Sequence, residues 1–255
     1  MEVITQNWIY FAIVAAIMLV LFIWAYVTKR IQKEFVTLTW VLIPVAVAIN
    51  IAIGQIVVVL RLPVYLDSIG TVLVAVLCGP WAGALTGALS NIIAGMIFGP
   101  DWFPWFPVAA VIGATAGAMA NIGFFKSWWK VAVTGFAIAL AATIIGSFIN
   151  VAVYGGITAS GSSFITAYLL QSGQGIWESV IATNFIAEPV DKITTVMVAF
   201  AIILGLPKRT IAGYPKADQV AAEGGESKNQ LYIAVGVIVL LVLFAAFMLR
   251  NILGG

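Results

Sequence analysis

The sequence predicts an all-α membrane protein with about eight transmembrane helices. Of its 255 residues, 63% are hydrophobic and only 9% are charged, whereas a soluble domain is typically about 25% charged. The apolar residues fall into runs of roughly 20, the length that a helix needs to cross ~30 Å of hydrocarbon. The lysines and arginines lie mainly between these runs.

The apolar runs define the predicted helices. The first run begins after the acidic Glu2 and is long enough to span, so it is interpreted as a retained helix and not as a signal peptide. A Gly- and Ser-rich loop with a short apolar patch, 164–170, precedes the seventh helix. The predicted helices cover residues 7–28, 36–60, 66–79, 81–99, 106–125, 131–153, 177–206 and 230–250.

The first and last of these helices lie outside a six-helix core. We therefore divide the chain into an extra N-terminal transmembrane helix (1–35), a six-helix core (36–209), a cytoplasmic linker (210–229) and an extra C-terminal transmembrane helix (230–255). The last helix follows a polar segment and carries no charge within its apolar run.

The positions of the cations predict an orientation with the N-terminus outside. Cytoplasmic loops carry an excess of Lys and Arg. With the N-terminus outside, nine of the twelve cations fall on the inner side. These nine are Lys29, Arg30, Lys33, Lys126, Lys130, Lys208, Arg209, Lys216 and Lys228.

The composition argues against most catalytic chemistry. The chain has no histidine and one cysteine, Cys78, which excludes disulfides within the chain, cysteine zinc sites, Ser-His triads and haem ligation by histidine. No Gly-rich loop ending in Gly-Lys-Ser/Thr is present for ATP. We expect no enzyme activity, catalytic residue, metal or cofactor, and no nucleic-acid partner, although the net charge of +2 by itself says little about nucleic acid.

A glycine ladder predicts close packing of the fourth and fifth helices, because small residues spaced by four let helix backbones approach. "GALTGALSNI" (83–92) matches "GATAGAMANI" (113–122) at six of ten positions. The ninth residue of each stretch is an asparagine, Asn91 or Asn121, whose amide needs partners in an apolar bundle. Asn91 lies nearer the outer half and is the better ligand candidate.

An aromatic turn follows the fourth helix. "FGPDWFPWFPV" (98–108) places Trp102 and Trp105 around Asp101. Tryptophans at a membrane boundary form an ordinary aromatic belt. The same turn also suits a planar, partly cationic or hydrogen-bonding solute, which the indoles would stack on and the acid would orient. Both interpretations stay open.

Further polar side chains are expected at a similar depth in the membrane, at the end of the sixth helix and the beginning of the seventh. We predict that these side chains and the aromatic turn together form an outward-open ligand pocket. These ligand-binding candidates are Asn150, Tyr154, Trp177, Glu178 and Asn184.

The stretch "FIAEPVDKITT" (185–195) carries Glu188, Asp191 and Lys192 inside an apolar run. Charges at that depth cost roughly 2.5–3.5 kcal/mol each on insertion scales. Glu188 precedes Lys192 by four residues, the favourable order for a helical ion pair. A structural ion network that includes Asp67 is the favoured interpretation. A polar floor for the ligand pocket and a proton-coupling site are the alternatives.

Two longer stretches carry a resemblance to a known family. "LDSIGTVLVAVLCGPWAGALTGALSNIIAGMI" (66–97) and "EPVDKITTVMVAFAIILGLPKR" (188–209) resemble the S-components, the membrane-embedded substrate-binding subunits of energy-coupling factor (ECF) transporters. The resemblance covers about 36–210. It implies a six-helix protein of a bacterial or archaeal cell (inner) membrane that captures a vitamin-like or other small micronutrient.

The resemblance also implies partners. In that family, small residues spaced by four on the first core helix dock a transmembrane coupling subunit, which carries paired ATPases. Here "AVAINIAIG" (46–54) offers Ala48 and Ala52 at that spacing. The alternatives are a membrane sensor or assembly subunit with the same fold, and a proton-coupled transporter. In each case the chain is embedded in the lipid bilayer.

Overall fold

The computed structural model describes residues 16–27, 29, 31–60, 62 and 64–220, with the single positions 232 and 236. Within these residues the regular structure is helical, with no strand. Short 3-10 helices lie at Pro100–Trp105 and Ala217–Gln219. The α-helices are α1 (Ala16–Val27), α2 (Thr37–Val59), α3 (Ile69–Cys78), α4 (Pro80–Phe98), α5 (Phe106–Asn121), α6 (Trp128–Tyr154), α7 (Ser163–Gln171), α8 (Ile176–Gly205) and α9 (Lys208–Ile211).

Four spans in the described chain are long and apolar enough to cross a membrane. They are Thr37–Val59, Pro80–Phe98, Pro100–Asn121 and Trp128–Tyr154. With 30 residues, α8 is longer than any of these, but it carries four charged side chains. The apolar helices indicate a multi-pass membrane protein. The predicted total of eight spans stays a prediction, because residues 7–15 of the first predicted helix and nearly all of the last lie outside the described residues.

Helix α3 is the centre of the bundle. All ten of its residues are buried, and α2, α4, α5 and α8 pack around it. A helix that is apolar on every face is suited to such a position. It ends at Gly79, whose φ of 125° is a conformation that favours glycine. Pro80 then begins α4, since proline is well tolerated at the first helical position.

The glycine ladder brings α4 and α5 into backbone contact, as predicted. A Cβ added to Gly113 would overlap the backbone of Gly83, and one added to Gly87 would overlap the carbonyl of Ala109. At the end of the ladder, a Cβ on Gly117 would overlap the backbone of Pro80. These glycines are therefore needed for the approach of the two helices.

Asn50 joins three helices, a role that the sequence analysis missed. Its amide nitrogen donates to Thr71 Oγ1 at 2.8 Å and to Ser90 Oγ at 2.9 Å. Its amide oxygen accepts the backbone N–H of Gly70 at 2.7 Å. A single asparagine in an apolar run indicates buried hydrogen bonding, but the pattern does not identify the partners.

Substituting Asn50 with alanine is expected to destabilise the fold by about 1–3 kcal/mol, because the buried Gly70 N–H loses its acceptor. Thermal unfolding of detergent-purified protein measures the effect. Asn121→Ala is the matched control, since Asn121 is an exposed amide at the end of α5. Equal melting temperatures for the two variants would contradict this role of Asn50.

The connecting segments gather at two ends of the bundle. The aromatic end consists of residues 64–68, 99–105 and 155–175, which are joined by hydrogen bonds from Tyr154 to the Asp101 carbonyl and between Tyr65 and Ser162. The basic end consists of residues 31–36, 122–127 and 206–220 and contains or adjoins most of the described lysines. The clustering of cations at one end agrees with the charge pattern that predicted the orientation.

Two segments differ from their predicted states. The loop predicted at 154–176 contains helix α7, which packs on α8 through a hydrogen bond of 2.9 Å from Thr166 Oγ1 to Thr183 Oγ1. The predicted linker from residue 210 instead remains against the core as far as Val220, which is 4% exposed. In that segment the Lys216 N–H donates to the Leu77 carbonyl at 3.0 Å. Both segments are polar in composition, which is why the sequence predicted loops. In the structure, the contacts just described hold both segments against the helix bundle.

Candidate functional site

The aromatic end brings three of the predicted ligand-binding residues together. Trp105 stacks on Tyr154 with 5.5 Å between ring centroids and 17° between planes. The Tyr154 hydroxyl donates to the carbonyl of Asp101. This contact uses the backbone of Asp101, and the side chain itself lies on an exposed residue. One helical turn inward from Tyr154 on α6 lies Asn150, which is 6% exposed.

Below the stacked rings, α6 and α8 form a polar seam. We define the seam by Ser147 and Asn150 of α6 and by Asn184 and Glu188 of α8. The Asn184 amide donates to Ser147 Oγ at 2.9 Å. Among the described residues, two buried oxygens in the seam have no hydrogen-bond partner: Asn150 Oδ1, and Glu188 Oε2, for which the Lys192 ammonium lies at 3.6 Å, beyond hydrogen-bond distance. Buried polar atoms without partners are uncommon in folded proteins, and each calls for an explanation.

A small cavity lies where α2 and α4 meet the aromatic end. The space open to the centre of a water molecule is about 10 Å³, roughly enough for one water. Two predicted ligand contacts, Asn91 and Trp102, line it together with Asp67 from the predicted ion network. The full lining is Asn50, Ile51, Asp67, Ser90, Asn91 and Trp102.

The four members of the predicted ion network lie together around Lys192. Its ammonium is 2.5 Å from Asp191, 3.6 Å from Glu188 and 4.0 Å from Asp67. Asp191 also accepts the backbone N–H groups of Tyr65 and Leu66, each at 2.7 Å. The cluster therefore connects α8 to the segment that precedes α3.

Tyr65 is a residue that the sequence analysis missed. The Lys192 ammonium lies 5.4 Å from the centroid of its ring, within the range of a cation–π contact. Its hydroxyl shares a hydrogen bond of 2.9 Å with Ser162 just before α7. The sequence held one indication of this role of Tyr65. It lies two residues before Asp67, which the sequence had already assigned to the predicted ion network.

Trp177 and Glu178 do not join the seam. Both are exposed on α8, where Trp177 is 44% exposed and lines a surface groove with Glu178, Ile181 and Phe185. Successive residues of an α-helix are rotated by about 100°, so side chains three or four apart share a face. Glu178 points about 120° away from Asn184, whereas Trp177, seven residues before Asn184, points in nearly the same direction. Trp177 instead stays outside the seam because it lies in the first turn of α8, where its ring contacts the exposed Phe148 of α6, with 6.3 Å between ring centroids.

The two predicted docking residues are accessible. Ala48 and Ala52 lie on the exposed face of α2, and Asn50 between them points into the bundle. Small side chains on an exposed helix face permit close approach of another helix.

At the basic end, Glu34 caps α4. Its Oε2 accepts the N–H groups of Trp81 at 2.9 Å and Ala82 at 3.1 Å, which is a favourable place for a carboxylate because the helix N-terminus is positive. Burial raises the pKa of Glu34 above its ordinary 4.5, although these N–H groups and the nearby Lys216 oppose the rise.

This raised pKa predicts a pH dependence that Glu34→Gln removes. Because the folded protein holds the Glu34 proton more tightly than the unfolded chain does, stability falls as pH rises from about 4.5 through the folded pKa. The melting temperature of the unsubstituted protein minus that of Glu34→Gln should decrease over this window. A difference that is constant or increases with pH would show that burial does not dominate at this carboxylate.

Comparisons of this chain with protein-family models, with curated proteins and with solved structures gave no match. The functional conclusion therefore depends on the geometry of the seam and of the aromatic end.

Proposed function

We propose that the chain is the membrane-embedded substrate-binding subunit of an ECF-type importer. It binds a vitamin-like or other small micronutrient at the aromatic end, which faces the outside of a bacterial or archaeal cell membrane, and its N-terminus is also outside. The chain supplies binding, and paired ATPases on a transmembrane coupling subunit supply the energy.

The observation that carries this proposal is the pair of buried acceptors in the seam. Asn150 and Glu188 are 6% and 7% exposed. Asn150 Oδ1 lacks a donor, and Glu188 Oε2 has only the Lys192 ammonium at 3.6 Å, too far for a hydrogen bond. Leaving a buried polar group unsatisfied costs about 1–3 kcal/mol. A bound solute with N–H or O–H groups would satisfy both atoms, and the stacked Trp105 and Tyr154 lie next to Asn150 to cover an apolar ring.

The exposed face of α2 supports a membrane partner. Ala48 and Ala52 give a stretch of small side chains between the exposed Val45 and Ile56, on the opposite side of α2 from Asn50. A coupling subunit can therefore dock on α2 without disturbing the polar contacts inside the bundle.

Native mass spectrometry of gently purified protein tests the binding function. We expect a retained small molecule whose occupancy falls in Asn150→Ala and is unchanged in Asn121→Ala, the exposed control. Co-purification with a coupling subunit and paired ATPases tests the partners, and Ala52→Leu should weaken it. Repeated preparations without any bound solute, together with no co-purifying subunits, would overturn the proposal.

Proton-coupled transport is the second candidate, and the observation that favours it is the buried Glu188, whose Oε2 has no hydrogen bond and only a 3.6 Å contact with Lys192. In that case the purified chain alone would drive uptake into vesicles with a proton gradient. Uptake that needs no ATPase and is abolished by Glu188→Gln would favour this candidate over the importer subunit.

A further inference from the structure

We propose that the solute carries a protonated amine, which binds between the carboxylates of Glu188 and Asp67 while its apolar part lies against the tryptophans of the aromatic end. This inference rests on the proposed function and names the chemical class of its substrate. Three observations support it: the charge of the cluster, the type of the unpartnered atoms and the position of Trp102.

The cluster around Lys192 has an excess of negative charge. Asp67, Glu188 and Asp191 all lie within 4.0 Å of a single ammonium, so with all groups ionised its net charge is −2 (three carboxylates and one ammonium). Asp191 is the best compensated, because it also accepts two backbone N–H groups. Glu188 and Asp67 have the weaker contacts with Lys192, and a second cation would stabilise them.

Among the described residues, no free cation lies at this position for an anionic solute to bind. Lys192 is surrounded by the three carboxylates, and its side chain is only 4% exposed. The other described lysines and arginines lie at or near the basic end. A carboxylate or phosphate in the seam would therefore meet mainly like charge.

The unpartnered atoms of the seam require donors. Asn150 Oδ1 and Glu188 Oε2 are both acceptors, and no side-chain nitrogen is among the described buried atoms without a partner. A protonated amine offers N–H groups in several directions and forms charge-assisted hydrogen bonds with a carboxylate. The acceptors belong to α6 and α8, so this observation is independent of Asp67.

Trp102 extends the site toward the aromatic end. Its indole lines the same small cavity as Asp67, and a cation between a carboxylate and an indole gains from both contacts. In the described residues no group of three or more His, Cys, Asp or Glu is arranged to hold a metal ion. This favours an organic ammonium. The cavity has room for about one water, so binding requires the aromatic end to open.

The test uses full-length protein in lipid nanodiscs and three size-matched sets of water-soluble compounds, which are primary amines, neutral alcohols and carboxylates. One matched set is tryptamine, tryptophol and indole-3-acetate. We expect the compounds that raise the melting temperature to come from the amine set.

In Asp67→Asn and Glu188→Gln, the affinity for such an amine should fall about tenfold or more, since each variant removes one charged acceptor. Asp218→Asn, an exposed acid at the basic end, should bind normally.

The outcomes separate the two proposals. Stabilisation by neutral or anionic compounds, or unchanged amine affinity in both acid variants when they fold, would overturn the amine inference and leave solute binding intact. Mass spectrometry of the solute that co-purifies adds a second readout, because identifying the solute shows directly whether it is an amine. An absence of binding in all three sets and of any co-purified solute would overturn the proposed function itself.

Discussion

Replacing Lys192 with methionine is expected to lower the melting temperature by about 10 °C or to prevent folding. The substitution leaves three carboxylates together without their shared ammonium, and removing one partner of a buried ion pair costs about 3–5 kcal/mol. Lys192 is the centre of the cluster, 2.5 Å from Asp191 and 3.6 Å from Glu188. Thermal unfolding and the yield of monodisperse protein in detergent measure the loss.

Two further variants make this test specific. Lys208→Met removes a cation at the exposed start of α9 and should leave the melting temperature unchanged. Adding Glu188→Gln to Lys192→Met should recover part of the stability, because one of the stranded carboxylates is neutralised, and coupling of this kind is expected for residues in contact. Normal folding of Lys192→Met without the second change would contradict a structural role for the network.

Gly113→Ala is expected to destabilise the bundle by about 3 kcal/mol, the upper part of the usual range for overpacking. The added methyl group would overlap the backbone of Gly83, and backbone atoms cannot rotate aside as a flexible side chain can. Helices α4 and α5 must then separate along the whole ladder. Thermal unfolding again measures the effect, with loss of folded yield as the extreme result.

Gly205→Ala is the matched control for this glycine. It has the same chemical change at the last residue of α8, where a new Cβ meets nothing within 4 Å. We expect little change in the melting temperature. A similar loss for both glycines would mean that the ladder is not the cause of the destabilisation at Gly113.

The helices of the core were predictable because each helix that crosses a membrane needs a long run of apolar residues. The predicted bounds 36–60 and 177–206 agree with Thr37–Val59 and Ile176–Gly205 to within one residue at each end. Short elements were not predictable. Helix α7 has nine residues among glycines and serines, and its position depends on Tyr65 and Thr183, which are distant in sequence.

The site was predictable in its residue types and only partly in its geometry. Asn150, Asn184 and Glu188 lie in one seam, whereas Trp177 lies exposed in the first turn of α8. Depth in the membrane follows from the position along a helix, but which face is inward depends on the neighbouring helices. Asn50 shows the same limit, since its partners on α3 and α4 are known only after the three helices pack.

By itself the sequence determined the membrane class, the positions of the core helices, the glycine contact between α4 and α5, and the charged residues that a membrane interior does not tolerate without partners. These properties follow from local composition and from spacing along one helix. The tertiary structure alone decided which oxygens lack donors, that Lys192 is shared by three carboxylates, and that Tyr65 lies against Lys192 and hydrogen-bonds to Ser162. Such facts depend on the rotation of each helix about its axis, and this rotation is set by packing between segments far apart in the chain.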